Sequence, residues 1–175
     1  MIFVTVGSTH WRFDRLMQAL ERVRAEHLYV QHGPAQPPST ATRVAPFLGF
    51  PDVLAAMADA DSVVCHAGAG TILCALRLGH TPIVVPRLAT FKEAVDQHQL
   101  ELATTLAESR SVISVLDLEE LPEVLRTVPP RRSAPRPRNV ALANALAMAL
   151  DAPPALGRAA RPRRRAGVRR LWRAA

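Results

Sequence analysis

A histidine and two glycines separate a short apolar run from a helix-like one in the stretch VVCHAGAGTILCALRLG, residues 63–79. Glycine lets the backbone turn with positive φ and lets a ligand come close, and the first N–H groups of a following helix have no internal partner. Those donors, with the helix dipole, make an anion site. Here they belong to the turn through Gly68, Ala69 and Gly70, joined by the Thr71 hydroxyl and by His66, whose imidazole donates an N–H whether neutral or protonated. The set suits a diphosphate. It also reads as an ordinary turn beside a strand-end histidine. Two common nucleotide motifs do not fit: G-x-G-x-x-G fails at Leu73, and no G-x-x-x-x-G-K-[S/T] occurs. A nicotinamide enzyme and a P-loop ATPase are thereby disfavoured.

A second polar cluster follows in PRLATFKEAVDQHQLELA. Arg87 lies just past an apolar run, and Glu93, Asp96, Gln97, His98 and Gln99 crowd what reads as the start of a helix. Carboxylates and amides at such spacing can pair with sugar hydroxyls. A solvated first helical turn has the same composition, because the dipole favours acids there. The N-terminal VGSTHWRF repeats the turn chemistry with Gly7, Ser8 and Thr9, where Ser8 or Thr9 either caps a helix or faces a ligand.

Alternating strands and helices must carry these loops. IFVTV (2–6) is a short buried strand, and Phe13, Leu16, Met17, Leu20 and Val23 then recur at helical spacing. Further strands are expected at residues 27–31, 62–66, 82–86 and 111–115, with a short run at 43–47, and further helices at 51–58, 70–78, 92–108 and 118–126. The alternation predicts a doubly wound α/β domain with a parallel sheet and helices on both faces. Ligands of such sheets sit at the carboxyl ends of the strands, so the two polar loops after successive strands would open on one crevice, which Ser8 or Thr9 could then also face.

The 175 residues suffice for one domain with appendages. Residues 1–128 carry 10 Lys+Arg against 14 Asp+Glu, whereas 129–175 carry 12 Arg against the lone Asp151. The excess of +7 therefore describes a tail on a mildly acidic body. Four segments follow: a binding domain over 1–128, a Pro/Arg-rich linker over 129–138, an Ala-rich helix over 139–151, and a basic, disordered tail over 152–175. Two cysteines, Cys65 and Cys74, build no disulfide framework, and no window reaches the roughly 18 apolar residues of a spanning helix. A reduced, cytoplasmic setting is expected, with at most surface attachment to a membrane.

Taken together, IFVTVGSTHWRFDRL, HAGAGTILCALRLGHTPIVVPR and FKEAVDQHQLELA closely resemble the nucleotide-sugar-binding domain of family 28 glycosyltransferases. The nearest likeness is to the small soluble subunits of two-component enzymes, both the dolichol-pathway N-acetylglucosamine transferase and bacterial exopolysaccharide glycosyltransferases. The resemblance implies a Rossmann-like domain equivalent to the C-terminal half of a GT-B enzyme. It implies a UDP-sugar donor without a metal or other cofactor, and a membrane-anchored partner chain that supplies the acceptor half, the lipid-linked acceptor and the general base. On it, His66, Gly68, Gly70 and Thr71 bind the diphosphate, with His66 a candidate stabiliser of the leaving group, and Gln99, with His98 and Asp96 nearby, contacts the sugar. Two departures stand out. Position 74, often a carboxylate that takes the ribose hydroxyls, is Cys here, and the relatives' E-H-V-D-D-H-Q reads EAVDQHQ, with Ala94 and Gln97 substituted.

The reaction implied is transfer of a hexosyl or N-acetylhexosaminyl group to a polyprenyl-diphosphate-linked acceptor. The alternative is a sugar-nucleotide-binding module that regulates a partner and catalyses nothing. Nucleic acid is not an expected partner, because the body is acidic and poor in aromatics. Eight Arg between Arg158 and Arg173 suit an anionic membrane surface as well as a solvated end.

Overall fold

The structure, a computed structural model, describes residues 1–132. Six parallel strands form one sheet in the order β3-β2-β1-β4-β5-β6: β1 (Ile2–Thr5), β2 (Leu28–Gln31), β3 (Arg43–Ala45), β4 (Ser62–His66), β5 (Ile83–Val85) and β6 (Ile113–Ser114). The helices are α1 (Asp14–Leu20), α2 (Phe50–Asp59), α3 (Ala69–Arg77), α4 (His98–Glu108) and α5 (Leu121–Thr127). The doubly wound parallel sheet read from the sequence is the architecture observed. The expected helix over 139–151 and the basic tail lie outside the described residues.

Both faces of the central strands β1, β4 and β5 are covered, which is why these strands are largely apolar runs, whereas edge strand β3 is mostly exposed. Val4, Val64, Ile83 and Val85 point to the side of α1 and α5, packing with Phe13, Leu16, Leu20 and Leu121. Phe3 and Val63 face Met57 of α2 and Ala75 of α3, and Cys65 and Val84 face Ile72 of α3 and Ala103 of α4. Each helix is held by its inward stripe. In α1 that stripe is Leu16, Met17 and Leu20, and the helix has no side-chain cap.

The order reverses between β1 and β4: the chain leaves β1 toward β2 and β3, then returns to the other side of β1 for β4. A reversal of this kind opens a crevice at the carboxyl ends of the two strands. The loops after β1, β4 and β5 meet there.

The helix expected over 92–108 starts later. After β5 the chain makes a 3-10 turn at Ala89–Phe91, passes through a left-handed residue at Lys92 (φ 57°), and enters α4 only at His98. Tertiary bonds cause the delay: the Glu93 carboxylate turns inward to Arg15, and Asp96 Oδ1 accepts from the His98 N–H at 3.1 Å and starts the helix. Of the residues expected in a first helical turn, Glu93, Asp96 and Gln97 therefore lie before it on an irregular loop, and His98 and Gln99 open the helix.

A candidate nucleotide-sugar cleft at the switch point

His66 ends β4, and its parity with Val64 turns its ring toward the α1 side. There the ring fits between two glycines. A Cβ on Gly7 would lie 2.6 Å from its Cε1, and one on Gly68 only 2.3 Å from its Nε2. Any side chain at either position would displace the imidazole. Of the glycines in these loops, Gly7 has the positive φ, at 76°, whereas Gly68 is extended at φ −87° and Gly70 lies within α3. The tight turn read into the β4–α3 loop is present, closed by the Gly68 N–H on the His66 carbonyl at 2.8 Å, but without positive φ at Gly68 or Gly70, and Gly68 serves close packing. A Cβ on Gly70 would meet nothing within 4 Å.

His66 Nδ1 is buried and lacks a hydrogen-bond partner among the described residues. Burial, reinforced by the charge of Arg87, lowers the imidazole pKa to about 4, and the nearby Thr5 backbone opposes this only weakly. At neutral pH the ring is uncharged. Beside it, α3 begins at Ala69 with Gly68 as its N-cap and no side-chain cap. Its first-turn N–H groups, including those of the exposed Ala69 and Gly70, have no intrahelical acceptor.

A cleft of about 410 Å³ opens over His66. The β1–α1 loop forms one wall with Ser8, Thr9 and Trp11, and the β5–α4 loop forms the other with Glu93, Ala94, Val95, Asp96 and Gln99 above Arg87. The structure thus brings together Ser8, Thr9, His66, Arg87, Glu93, Asp96 and Gln99. Gly7 and Gly68 sandwich the His66 ring, and Ala69, Gly70 and Thr71 lie in the adjoining turn of α3. His98 points outward, with its ring nitrogens 3.4 Å from Glu101 and 3.8 Å from Asp96. Trp11, Ala94 and Val95 are lining residues that spacing did not single out; an aromatic two residues beyond a Gly-Ser-Thr turn was the available signal.

Arg87 and Glu93 reach the cleft with their charged groups already engaged. The Arg87 guanidinium donates to the carbonyls of Val6 (3.0 Å), Trp11 (3.1 Å), Arg12 (3.0 Å) and Glu93 (3.5 Å). Burial lowers its pKa to about 10, so it stays charged at pH 7. The Glu93 carboxylate accepts from Arg15 at 3.0 and 3.2 Å and from the Leu88 N–H at 3.1 Å. Gln99 Oε1 accepts from the Arg87 backbone N–H at 3.1 Å. Cys74 is half-buried on α3 against the cluster of Phe3, Met57 and Ala75, away from the cleft lining, and burial raises its pKa.

A doubly wound sheet with an uncapped helix, a neutral histidine and a polar crevice at its switch point is the architecture of a nucleotide-binding α/β domain. The chain belongs to the glycosyltransferase family 28 C-terminal domain family, whose model matches residues 1–150. It is 36% identical over 126 residues, 71% of its length, to the UDP-N-acetylglucosamine–N-acetylmuramyl-(pentapeptide) pyrophosphoryl-undecaprenol N-acetylglucosamine transferase of Xanthomonas axonopodis pv. citri (strain 306). It is 37% identical over 62 residues, 35% of its length, to the UDP-N-acetylglucosamine transferase subunit ALG13 of Yarrowia lipolytica (strain CLIB 122 / E 150). The matched regions span 26% of the first relative and 30% of the second.

Proposed function

We propose that this domain binds a UDP-sugar and is the donor half of a glycosyltransferase that moves a hexosyl or N-acetylhexosaminyl group onto a polyprenyl-diphosphate-linked acceptor. The observation that carries the reading is the neutral His66 imidazole, held between Gly7 and Gly68 beside the uncapped start of α3, at the floor of the cleft. On this reading the N–H groups of Ala69, Gly70 and Thr71 and the His66 ring take the diphosphate. Ser8 and Thr9 offer hydroxyls from one wall, and Asp96 and Gln99 bind the sugar from the other, with His98 at its rim. As UDP departs it gains negative charge, which fixed N–H dipoles stabilise without a metal ion. The names of the relatives support the donor and the lipid-linked acceptor.

The general base comes from an acceptor half on a membrane-anchored partner, and that contact brings the domain to the cytoplasmic face of the membrane. Similarity to a protein named as a transferase subunit supports the division of labour. The setting proposed is polysaccharide or lipid-linked oligosaccharide synthesis.

Calorimetric titration of the full chain with UDP, UDP-N-acetylglucosamine and ADP tests the donor reading. Uridine nucleotides should bind, and EDTA should not weaken them. Gly70→Ala should raise stability by a few tenths to about 1 kcal/mol, because its Cβ meets nothing. The same change should weaken UDP by crowding the approach to α3. An absence of binding by any uridine nucleotide at millimolar concentration would sink the proposal. Transfer from labelled UDP-sugars with the acceptor half present, against none without it, separates an enzyme subunit from a regulatory module.

A further inference from the structure

Two arginines cross between the walls of the cleft in opposite directions. Arg87, from the β5 side, reaches into the β1–α1 loop and takes the carbonyls of Val6, Trp11 and Arg12. Arg15, from α1, reaches back to the Glu93 carboxylate and to the Pro86 carbonyl at 2.9 Å. We propose that Arg87 is a positioning residue: its guanidinium pins the β1–α1 loop, and with it Trp11, against the β5–α4 loop, rather than meeting the charge of the donor. This rests on the donor reading above for its ligand but not for its geometry.

Four observations carry it. Arg87 is 1% exposed, the largest fully buried side chain among the described residues. Its Nη1 and Nη2 donate to carbonyls from separated stretches of backbone, a task suited to a planar fork and beyond a single ammonium, while its buried Nε has no partner among the described residues. The guanidinium lies over the Phe13 ring, 4.5 Å from its centroid, so its apolar face is covered as well. Finally, its backbone N–H holds Gln99, so one residue fixes groups on both walls. A diphosphate competing for this charge would have to strip buried carbonyls of their donors, which is costly.

Trp11 is what the brace sets in place. Its carbonyl is held by Arg87, its N–H donates to Thr9 Oγ1 at 3.3 Å, and its ring rests against His10 with centroids 5.1 Å apart. Trp11 lines the cleft together with Asp96 and Gln99. An aromatic group in one cleft with a carboxylate and an amide fits a hexose ring, which has apolar C–H faces and hydroxyls around its edge. Loosening the brace should therefore harm recognition of the sugar more than recognition of UDP.

The chain has two tryptophans, Trp11 and Trp172, so Trp172→Phe in the full-length protein leaves Trp11 as the fluorophore. In that background Arg87→Lys should accelerate amide hydrogen exchange over residues 7–13 by about tenfold or more, because a local brace is removed. Trp11 emission should shift to the red. UDP affinity should fall by less than about fivefold, since the α3 turn and His66 remain, while any advantage of UDP-N-acetylglucosamine over UDP disappears. Glu93→Gln, which weakens the return brace, should move exchange and emission the same way by less. The proposal is overturned if Arg87→Lys leaves exchange and emission unchanged while Arg87→Gln abolishes UDP binding, the pattern of a charge contact. Should Arg87→Lys not fold by circular dichroism, exchange in the wild-type chain decides: residues 7–13 protected no better than a free loop overturn the brace. Failure of wild-type chain to bind uridine nucleotides defeats the donor reading, and exchange and emission still judge the brace.

Discussion

At the scale of single residues, burial sets the charge state of His66. Its pKa in the folded chain, about 4, lies below the ordinary 6.5, so the unfolded chain takes up the proton first as pH falls. Stability is full above about pH 6.5 and declines toward pH 4, by up to about 3 kcal/mol on this account. His66→Gln should remove that part of the slope, whatever it does to absolute stability between the two glycines. Urea unfolding of both proteins from pH 7 to 4.5 reads the difference, and equal slopes would show that the ring is not held neutral. The type and place of His66 were legible in the sequence, since a strand ended there before a glycine turn. Its glycine sandwich was not, because Gly7 is distant in sequence and reaches the ring only through the pairing of β1 with β4. The part of Arg87 was equally hidden: backbone carbonyls, which every residue carries, leave no mark on composition.

At the scale of elements, the central strands β1, β4 and β5 were readable because both faces are buried and the runs stay largely apolar, and α1 and α3 were readable from their spacing. The β5–α4 connection was not. Its polar residues look like a first helical turn, and only the inward pull of Arg15 on Glu93 shows why the helix must wait until His98. That pull leaves Lys92 in the left-handed region, which costs an L-residue roughly 1–2 kcal/mol. Lys92→Gly should relieve most of this strain while adding entropy to the unfolded chain, for a net gain of about 0.5–1 kcal/mol. A rise in Tm of about 1–4 °C is expected, and Lys92→Val should lower it, because a β-branched residue tolerates that region poorly. The opposite order in thermal melts would mean that the left-handed turn is not the native path of this loop.

At the scale of the whole molecule, the candidate cleft opens at the carboxyl ends of the strands, where several exposed apolar side chains also follow them. Phe47 follows β3, Phe91 and Val95 follow β5, and Leu116 follows β6; all are large apolar side chains left exposed, with Phe47 at 64%, Phe91 at 58% and Leu116 at 52%. Exposed apolar groups following several strands at their carboxyl ends suit a surface that another body covers. On the proposed function that body is the acceptor half, which must approach the carboxyl ends of the strands because the donor lies there. Val95 also lines the cleft, so it is a poor probe of docking alone. Phe47, Phe91 and Leu116 lie outside the lining and test docking separately from donor binding. Replacing all three with Ser should change Tm by only a few degrees, as surface substitutions do, and should leave UDP affinity intact. Transfer in the presence of the acceptor half should fall by about tenfold or more, since burial of even one such side chain contributes over 1 kcal/mol. Transfer at the wild-type rate with UDP binding unchanged would place the acceptor half elsewhere and leave the apolar rim unexplained.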